Sequence, residues 1–464
     1  MGAETLSALE ESLAAVGQEH VLRFRSELEA AEAASFAEEL AGLDLPRIQR
    51  LIETVLSPSS AGSEPGDDSA LEPPELIEWG TDDARDARAR EAGAECLAAG
   101  KVGAFLVAGG QGTRLGYDGP KGRFPVGPLT NRSLFAYHAQ RVLATSRRYG
   151  ARLPYYVMTS RANNESTVAA FEEAGYFGLD RDQVFFLVQG MLPAVDREGK
   201  LLLATRSSLS MSPDGHGGCF RALQLSGALD DMATRGLEQL FYFQVDNPLA
   251  QVLDPLFIGH HVLAQAEMST KVVQKSEPGE KVGVLAKQGG KTCLLEYSDL
   301  DLALAEARDP DGKLRFRAGN IAIHMLDLGF VGRLLAGGNE LPIHRADKKV
   351  PFVDESGARV EPAEPNAVKM EMFVFDALPM AERVTTQEVL REDEFAPVKN
   401  AEGLDSPDTS RAALSAQAQR WMSGAGLATP QSKAEVGPLF ALDQEAFRAN
   451  LTHSDFGPVF DRAP

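Results

Sequence analysis

Residues Leu106 to Gly122 read LVAGGQGTRLGYDGPKG, and they follow directly on the buried-looking apolar run VGAFLVA (Val102 to Ala108). Gly109, Gly110, Gly112 and Gly116 lack a Cβ, so the backbone can turn sharply and aim several N–H groups at one anion. Arg114 and Lys121 add two cations to a loop whose only other charge is Asp118. That combination points to a polyphosphate. A dinucleotide-binding turn needs G-x-G-x-x-G running straight into a helix, with an acid about 20 residues further on. Here Gly110, Gly112 and Gly116 are spaced G-x-G-x-x-x-G and Pro120 follows, which disfavours an NAD(P) oxidoreductase. A Walker A loop requires Gly-Lys-Ser/Thr, and Lys121 is followed by Gly122. A glycine cluster that merely makes turns is the remaining alternative, and the two cations weigh against it.

Downstream of the loop, LPYYVMTS (Leu153 to Ser160), DQVFFLV (Asp182 to Val188) and LEQLFYFQV (Leu237 to Val245) are short apolar runs, separated by segments long enough for helices such as Ser133 to Arg148. This alternation predicts an α/β domain with a mainly parallel sheet covered by helices on both faces. From Ser269 the runs STKVVQK, KVGVLAK, KTCLLEY and LRFRAGNIAIHM are closely spaced, and QGGK offers a tight hairpin turn, so the sheet should continue in antiparallel or mixed fashion. Upstream, Leu6, Leu9, Leu13 and Val16, then Ile48, Leu51, Ile52 and Val55, recur at helical spacing. The expected organisation is a helical N-terminal region at 1–99 with a Ser-, Gly-, Pro- and acid-rich linker at about 57–75, a catalytic domain at 100–400, and a small C-terminal lobe at 401–464. The lobe should open on a helix with Asp408 as candidate N-cap and Trp421 near its end.

The chain has 464 residues, 44% hydrophobic and 24% charged, the balance of a globular protein. Its formal net charge of -21 argues against DNA or RNA as partner, because nucleic-acid affinity comes mostly from Lys and Arg neutralising phosphates. Cys96, Cys219 and Cys293 show no CxxC spacing, so neither a zinc site nor a disulfide framework is indicated. With no basic leader and no run of about 20 apolar residues, a cytoplasmic protein without membrane contact is expected.

Seven further motifs accompany the loop in order: QGMLPA (Gln189 to Ala194), SPDGHGGCFRAL (Ser212 to Leu223), FQVDNPL (Phe243 to Leu249), EYSDL (Glu296 to Leu300), AGNIAIH (Ala318 to His324), KMEMFVFD (Lys369 to Asp376) and REDEFAPVKNAEG (Arg391 to Gly403). With AGGQGTRLG and PKG, this set resembles the eukaryotic-type UDP-sugar pyrophosphorylases over roughly residues 100 to 405. EYSDL, FVFD and EFAPVKN favour the UDP-N-acetylhexosamine branch. The resemblance implies a Rossmann-like, GT-A-like nucleotidyltransferase fold and a reaction in which UTP and N-acetylglucosamine 1-phosphate give UDP-N-acetylglucosamine and pyrophosphate, with N-acetylgalactosamine 1-phosphate as a second substrate. Alternatives are a UDP-glucose or broad-specificity UDP-sugar pyrophosphorylase, and a non-catalytic nucleotide-sugar-binding homologue.

The resemblance also implies site residues. Val107, Ala108, Gly109 and Gly110 would line the nucleotide pocket, with Arg114, Lys121 and Lys399 as catalytic phosphate ligands. Arg suits that task through its bidentate fork. Gln189 would read the uracil edge, with Gly215 approaching the base. His216, a candidate nucleotide contact, stands where relatives usually have Asn. Asp246, after a strand expected to end at the ligand-binding edge of the sheet, would contact substrate and hold Mg²⁺, the implied cofactor; the competing reading is a turn cap before Pro248. Glu296 and Asn320 would bind the sugar and Lys369 would add positive charge; on their own they read as a strand-end acid, a turn residue and a surface cation. Phe373 and Phe375 fit a strand or an aromatic core equally well. Lys399 has Asp393 and Glu394 as near neighbours for a purely structural ion pair.

Overall fold

The computed structural model describes residues 3–57, 71–297, 299–337, 340–452 and 457–463. Most of the expected linker, residues 58–70, lies outside the described residues. Its end is ordered as a strand: Leu71 and Glu72 pair with Gln288 and Lys287.

One compact unit draws on Ala70–Gln189, Phe220–Glu340 and Ala377–Pro464. Its centre is an 11-stranded sheet whose main path runs Leu76–Ile77, Val384–Val389, Met268–Gln274, Ala318–Asp327, Gln239–Gln244, Val102–Val107, Tyr155–Thr159 and Val184–Val188. The apolar runs form strands because their β-branched and aromatic residues fit a surface covered on both sides, and Tyr155 to Thr159 is buried at every position. Neighbours on this path are parallel, except that Ala318–Asp327 runs antiparallel to both Gln239–Gln244 and Met268–Gln274. The expected hairpin is present, with Val284–Gln288 and Lys291–Leu295 joined through Gly289 and Gly290 at φ of 58° and 78°. The mixed sheet is thus less divided than its sequence tempo suggests, since Met268–Gln274 lies inside the main path and pairs in parallel with Val384–Val389.

Helix Leu134–Tyr149 starts on Ser133, whose hydroxyl accepts from the Ala136 N–H, and stops at Gly150 in the left-handed conformation. Helix Pro407–Gly424 is capped by Ser406, with a reciprocal Ser406 and Thr409 capping box, so Asp408 lies in the first turn and is not the cap. Trp421 falls near its end as expected. The tail packs on a small cluster of Met422, Phe440, Phe447 and Phe460.

The other compact unit comprises Met1–Ser69, Gly190–Cys219 and Leu341–Asp376. Helices Ala3–Ala15, Ala30–Ala41 and Leu45–Leu56 join short antiparallel strands there. Gln18 donates to the Gly199 carbonyl at 2.8 Å and accepts from the Leu201 N–H at 2.9 Å, bonds that close over about 180 residues of chain. The compact units therefore do not follow the linear divisions at 99 and 400. No described helix is long and apolar enough to cross a membrane.

Two buried histidines couple the sheet-bearing unit to pH. His138 packs on Phe243 and bonds the Val245 carbonyl at 3.0 Å, while His261 bonds Ser269 and Gln239 at 2.7 and 2.8 Å. Burial brings each down to about 3 from an ordinary 6.5, His138 with help from Arg141. Below pH 6.5 the unfolded chain binds protons that the folded chain refuses until about pH 3. Each histidine should therefore remove stability by about 1.4 kcal/mol per pH unit as pH falls through that window. Urea midpoints should drop between pH 7.5 and pH 5.5, and less steeply in His138→Gln; an identical pH dependence in that variant would refute this account.

Candidate functional site

The parallel strands of the sheet end on one edge, because Val107 is level with Gln244 and Met158, and Thr159 with Val188. Open α/β sheets bind ligands outside such carboxyl ends. Val107 closes its strand and its carbonyl accepts from the Val245 N–H at 3.1 Å. Ala108, almost fully buried, donates to the Met158 carbonyl at 2.7 Å and starts the glycine loop.

That loop is closed on itself. Gly112 donates to Gly119 at 2.9 Å, Tyr117 to Gly112 at 3.1 Å and Lys121 to Gly110 at 3.1 Å. Asn163, which nothing in the sequence singles out, anchors it from beneath: the buried side-chain amide donates to the carbonyls of Ala108 at 2.8 Å and Gly110 at 3.2 Å. Its oxygen accepts from the Ser160 N–H at 2.8 Å. A Cβ on Gly109 would stand 2.6 Å from Gln189 Oε1, so a larger residue there would displace the side chain expected to read the base. Gly110 is exposed, leaving its backbone open to a ligand.

Arg114 is exposed on the short 3-10 turn Thr113–Leu115 and makes no hydrogen bond or ion pair with described residues. Lys121 opens the next 3-10 turn, Lys121–Arg123. Its Nζ reaches Asp246 Oδ2 at 3.9 Å and donates to the Val398 carbonyl at 3.4 Å. Asp246 follows its strand as expected, and its carbonyl accepts from the Val398 N–H at 2.8 Å. The carboxylate faces Lys121 across that gap. Lys399, one residue beyond Val398, keeps a half-exposed ammonium 3.7 Å from Asp405 and 5.5 Å above the Phe395 ring. The ion pairs that the sequence offered it are taken: Glu394 bonds Lys271 and Asp393 bonds Arg420. Three candidate cations and one carboxylate thus belong to the same sheet-bearing unit, with Lys121, Asp246 and the segment before Lys399 in direct contact.

Glu296 directly follows the Lys291–Leu295 strand and its carbonyl accepts from the Asp299 N–H at 3.0 Å. Asn320 is a strand residue and not the turn residue that its isolated reading suggests. It sits beside a register shift between Thr270 and Val272, and its Oδ1 accepts from the N–H of Ala322, whose φ is 56°.

Gly215, His216 and Lys369 belong to the other unit. Gly215 has φ of 82°, and a Cβ there would lie 2.3 Å from the Met372 carbonyl oxygen. His216 accepts from the Val374 N–H at Nδ1 (3.1 Å), which leaves its proton on Nε2. Its ring lies 5.2 and 5.6 Å from Phe373 and Phe375. Burial, with His344 nearby, lowers it to about 4, so at neutral pH it is an uncharged donor. Phe373 and Phe375 are therefore not alternating strand residues; they flank a histidine at the start of a 3-10 helix, Val374–Met380. Lys369 lies on the Ala367–Glu371 strand opposite Ala346.

Sequence comparison identifies the family. Residues 71–456 match the family model of UTP--glucose-1-phosphate uridylyltransferase. The chain belongs to that family. The UDP-N-acetylhexosamine pyrophosphorylase-like protein 1 of Xenopus tropicalis is 40% identical over 429 residues, 88% of this chain and 83% of its own length. The UDP-N-acetylglucosamine pyrophosphorylase of Saccharomyces cerevisiae is 38% identical over 383 residues, 80% of this chain and 79% of its own. Among solved structures, the UDP-N-acetylglucosamine pyrophosphorylase of Trypanosoma brucei superposes with a TM-score of 0.85 at 27% identity, covering 99% of this chain and 98% of that one. The uridylyltransferase family thus accounts for the nucleotidyltransferase-type mixed sheet as well as for the order of the motifs. Uridylyl transfer between UTP and a sugar 1-phosphate is the chemistry its site must support.

Proposed function

We propose that the protein forms UDP-N-acetylglucosamine and pyrophosphate from UTP and N-acetylglucosamine 1-phosphate, and takes N-acetylgalactosamine 1-phosphate as a second substrate. The observation that carries this reading is the closed glycine loop with Lys121 held between Asp246 and the Val398 carbonyl, in a chain 38% identical to a UDP-N-acetylglucosamine pyrophosphorylase.

In the proposed reaction a phosphate oxygen of the sugar phosphate attacks the α-phosphorus of UTP in line. The bond from that phosphorus to the bridging oxygen breaks, and pyrophosphate leaves with the electron pair. The protein has no covalent work, so rate comes from positioning and from neutralising charge as it moves onto the leaving group. Loop N–H groups from Gly109 and Gly110 cradle phosphate, Lys121 lies against the α-phosphate side, and Arg114 and Lys399 take the departing pyrophosphate. Gln189 offers a donor and an acceptor to the uracil edge.

Magnesium is the proposed cofactor. The described residues contain no cluster of three His, Cys, Asp or Glu, and Asp246 stands alone beside Lys121. That fits an ion which shares one carboxylate with substrate phosphates. When bound, it would neutralise phosphate charge. Free Cys96, Cys219 and Cys293, together with the net charge of -21, support a cytoplasmic setting without nucleic-acid partners.

The deciding experiment supplies purified protein with UTP, Mg²⁺ and each of N-acetylglucosamine, N-acetylgalactosamine and glucose 1-phosphate, and measures pyrophosphate. Preference for glucose 1-phosphate would replace the substrate assignment, and binding without turnover would mark a non-catalytic homologue. Lys399→Ala should lower turnover by about 10²-fold while leaving stability within about 1 kcal/mol, since its pairing with Asp405 is a surface one. Normal turnover in that variant would remove Lys399 from the phosphate site.

A further inference from the structure

Lys271 is fully buried in the Met268–Gln274 strand, with its ammonium bonded to the Glu394 carboxylate and, at 2.8 Å, to Asp254. None of the three resembles a ligand contact in the sequence. Desolvating such a group is costly, and apolar residues of the same volume commonly stabilise as well or better. Stability is therefore a weak reason for its presence.

The bonds that leave this cluster give a stronger one. The second oxygen of Glu394 accepts from the Gln251 N–H at 3.1 Å, so its side chain is held from both ends. The Glu394 carbonyl accepts from Asn247 Nδ2 at 2.7 Å, and Asn247 Oδ1 accepts from the Ala396 N–H at 3.1 Å. Two residues on, the Val398 N–H donates to the Asp246 carbonyl at 2.8 Å and the Val398 carbonyl receives Lys121 Nζ at 3.4 Å. The segment between Glu394 and Lys399 has no helix or strand to define its path beyond the short helix Arg391–Glu394. Its course past Asp246 is set by Asn247, by the Asp246 backbone and by Glu394, one of the two carboxylates that the buried Lys271 holds, while the Lys399 N–H donates to the Asp405 carbonyl at 2.7 Å.

We propose that Lys271, Glu394 and Asn247 form a clamp that positions the 395–399 segment, and through it Lys399, against Asp246 and Lys121. The inference rests on the uridylyltransferase reading of that edge. These are positioning residues: all three are buried, and they act through the path of the backbone that carries Lys399. Displacing that segment by about an ångström can cost about 10²-fold in rate, because in-line transfer is sensitive to where the phosphate ligands stand.

The test is a double-mutant cycle on pyrophosphate release. Glu394→Gln, which preserves volume, and Asn247→Ala, which cuts the other end of the tether, are each made in the wild-type and Lys399→Ala backgrounds. In the wild-type background each should lower kcat about tenfold or more with KM for UTP changed by less than about threefold. In the Lys399→Ala background each should cost no more than about a further twofold, since residues that act through one group are not additive. Urea midpoints read folding separately, and Asn247→Ala keeps the test intact if Glu394→Gln fails to fold. Equal losses in both backgrounds, or unchanged kcat in a folded variant, would overturn the clamp alone. A wild-type protein that releases no pyrophosphate with any sugar 1-phosphate would overturn the functional reading and the clamp with it.

Discussion

Lys121→Ala is expected to lower kcat/KM for pyrophosphate release by about 10²–10³-fold with the fold unchanged. Lys121 is four-fifths shielded from solvent, 3.9 Å from Asp246 and 3.4 Å from the Val398 carbonyl, in a loop fixed by Asn163. Its charge is thus already in place before substrate arrives, which is the condition for a large electrostatic contribution. The pair is loose: 3.9 Å lies beyond ordinary hydrogen-bond length, so the ammonium keeps donors available for phosphate oxygens. Asp246, its side chain 14% exposed, loses a neighbour that stands beyond hydrogen-bond reach, so stability should fall by about 1 kcal/mol. Steady-state rates at saturating sugar phosphate, with a urea melt on the same sample, check both halves. Turnover within a few-fold of wild type would refute the role of Lys121.

The second large effect concerns folding. Gly259→Ala should destabilise the protein by about 3 kcal/mol or more. Helices Asp83–Ala98 and Pro255–Leu263 cross in backbone contact: a Cβ on Gly259 would lie 1.6 Å from the Ala89 carbonyl oxygen, and one on Gly93 would lie 1.9 Å from that of Pro255. Intrinsic helix propensity would favour alanine by about 1 kcal/mol. The two effects have opposite sign, and sterics should prevail because the obstructing atoms are backbone and cannot rotate away. Chemical denaturation would decide it, a midpoint at or above wild type showing that the helices separate at little cost. The same helix is tied to the clamp, since its N-cap Asp254 bonds Lys271, so strain there should also lower turnover.

The glycine loop and its sheet were readable from local sequence. Four apolar runs became strands because β-branched and aromatic residues suit a doubly covered sheet, and the helix expected over Ser133 to Arg148 forms, with the Ser133 side-chain oxygen as its cap. Arg114, Lys121 and Asp246 could be named because their loop and strand-end positions are properties of short stretches. Ser406 was overlooked in favour of Asp408 because both are capping residue types and the choice turns on a single backbone conformation.

What the sequence by itself determined is therefore the kind of ligand, a polyphosphate, and through the order of its motifs the family. What only the tertiary structure decided is how the charges are held. Lys271 and Glu394 are 123 residues apart, and Asn163 reaches the loop across 53 to 55 residues. Pairing at such distances leaves no trace in spacing or periodicity, because those patterns record only what a residue does within a few positions of itself. A lysine inside STKVVQK looks like any solvated cation until the strand carrying it is enclosed and its charge must find a carboxylate.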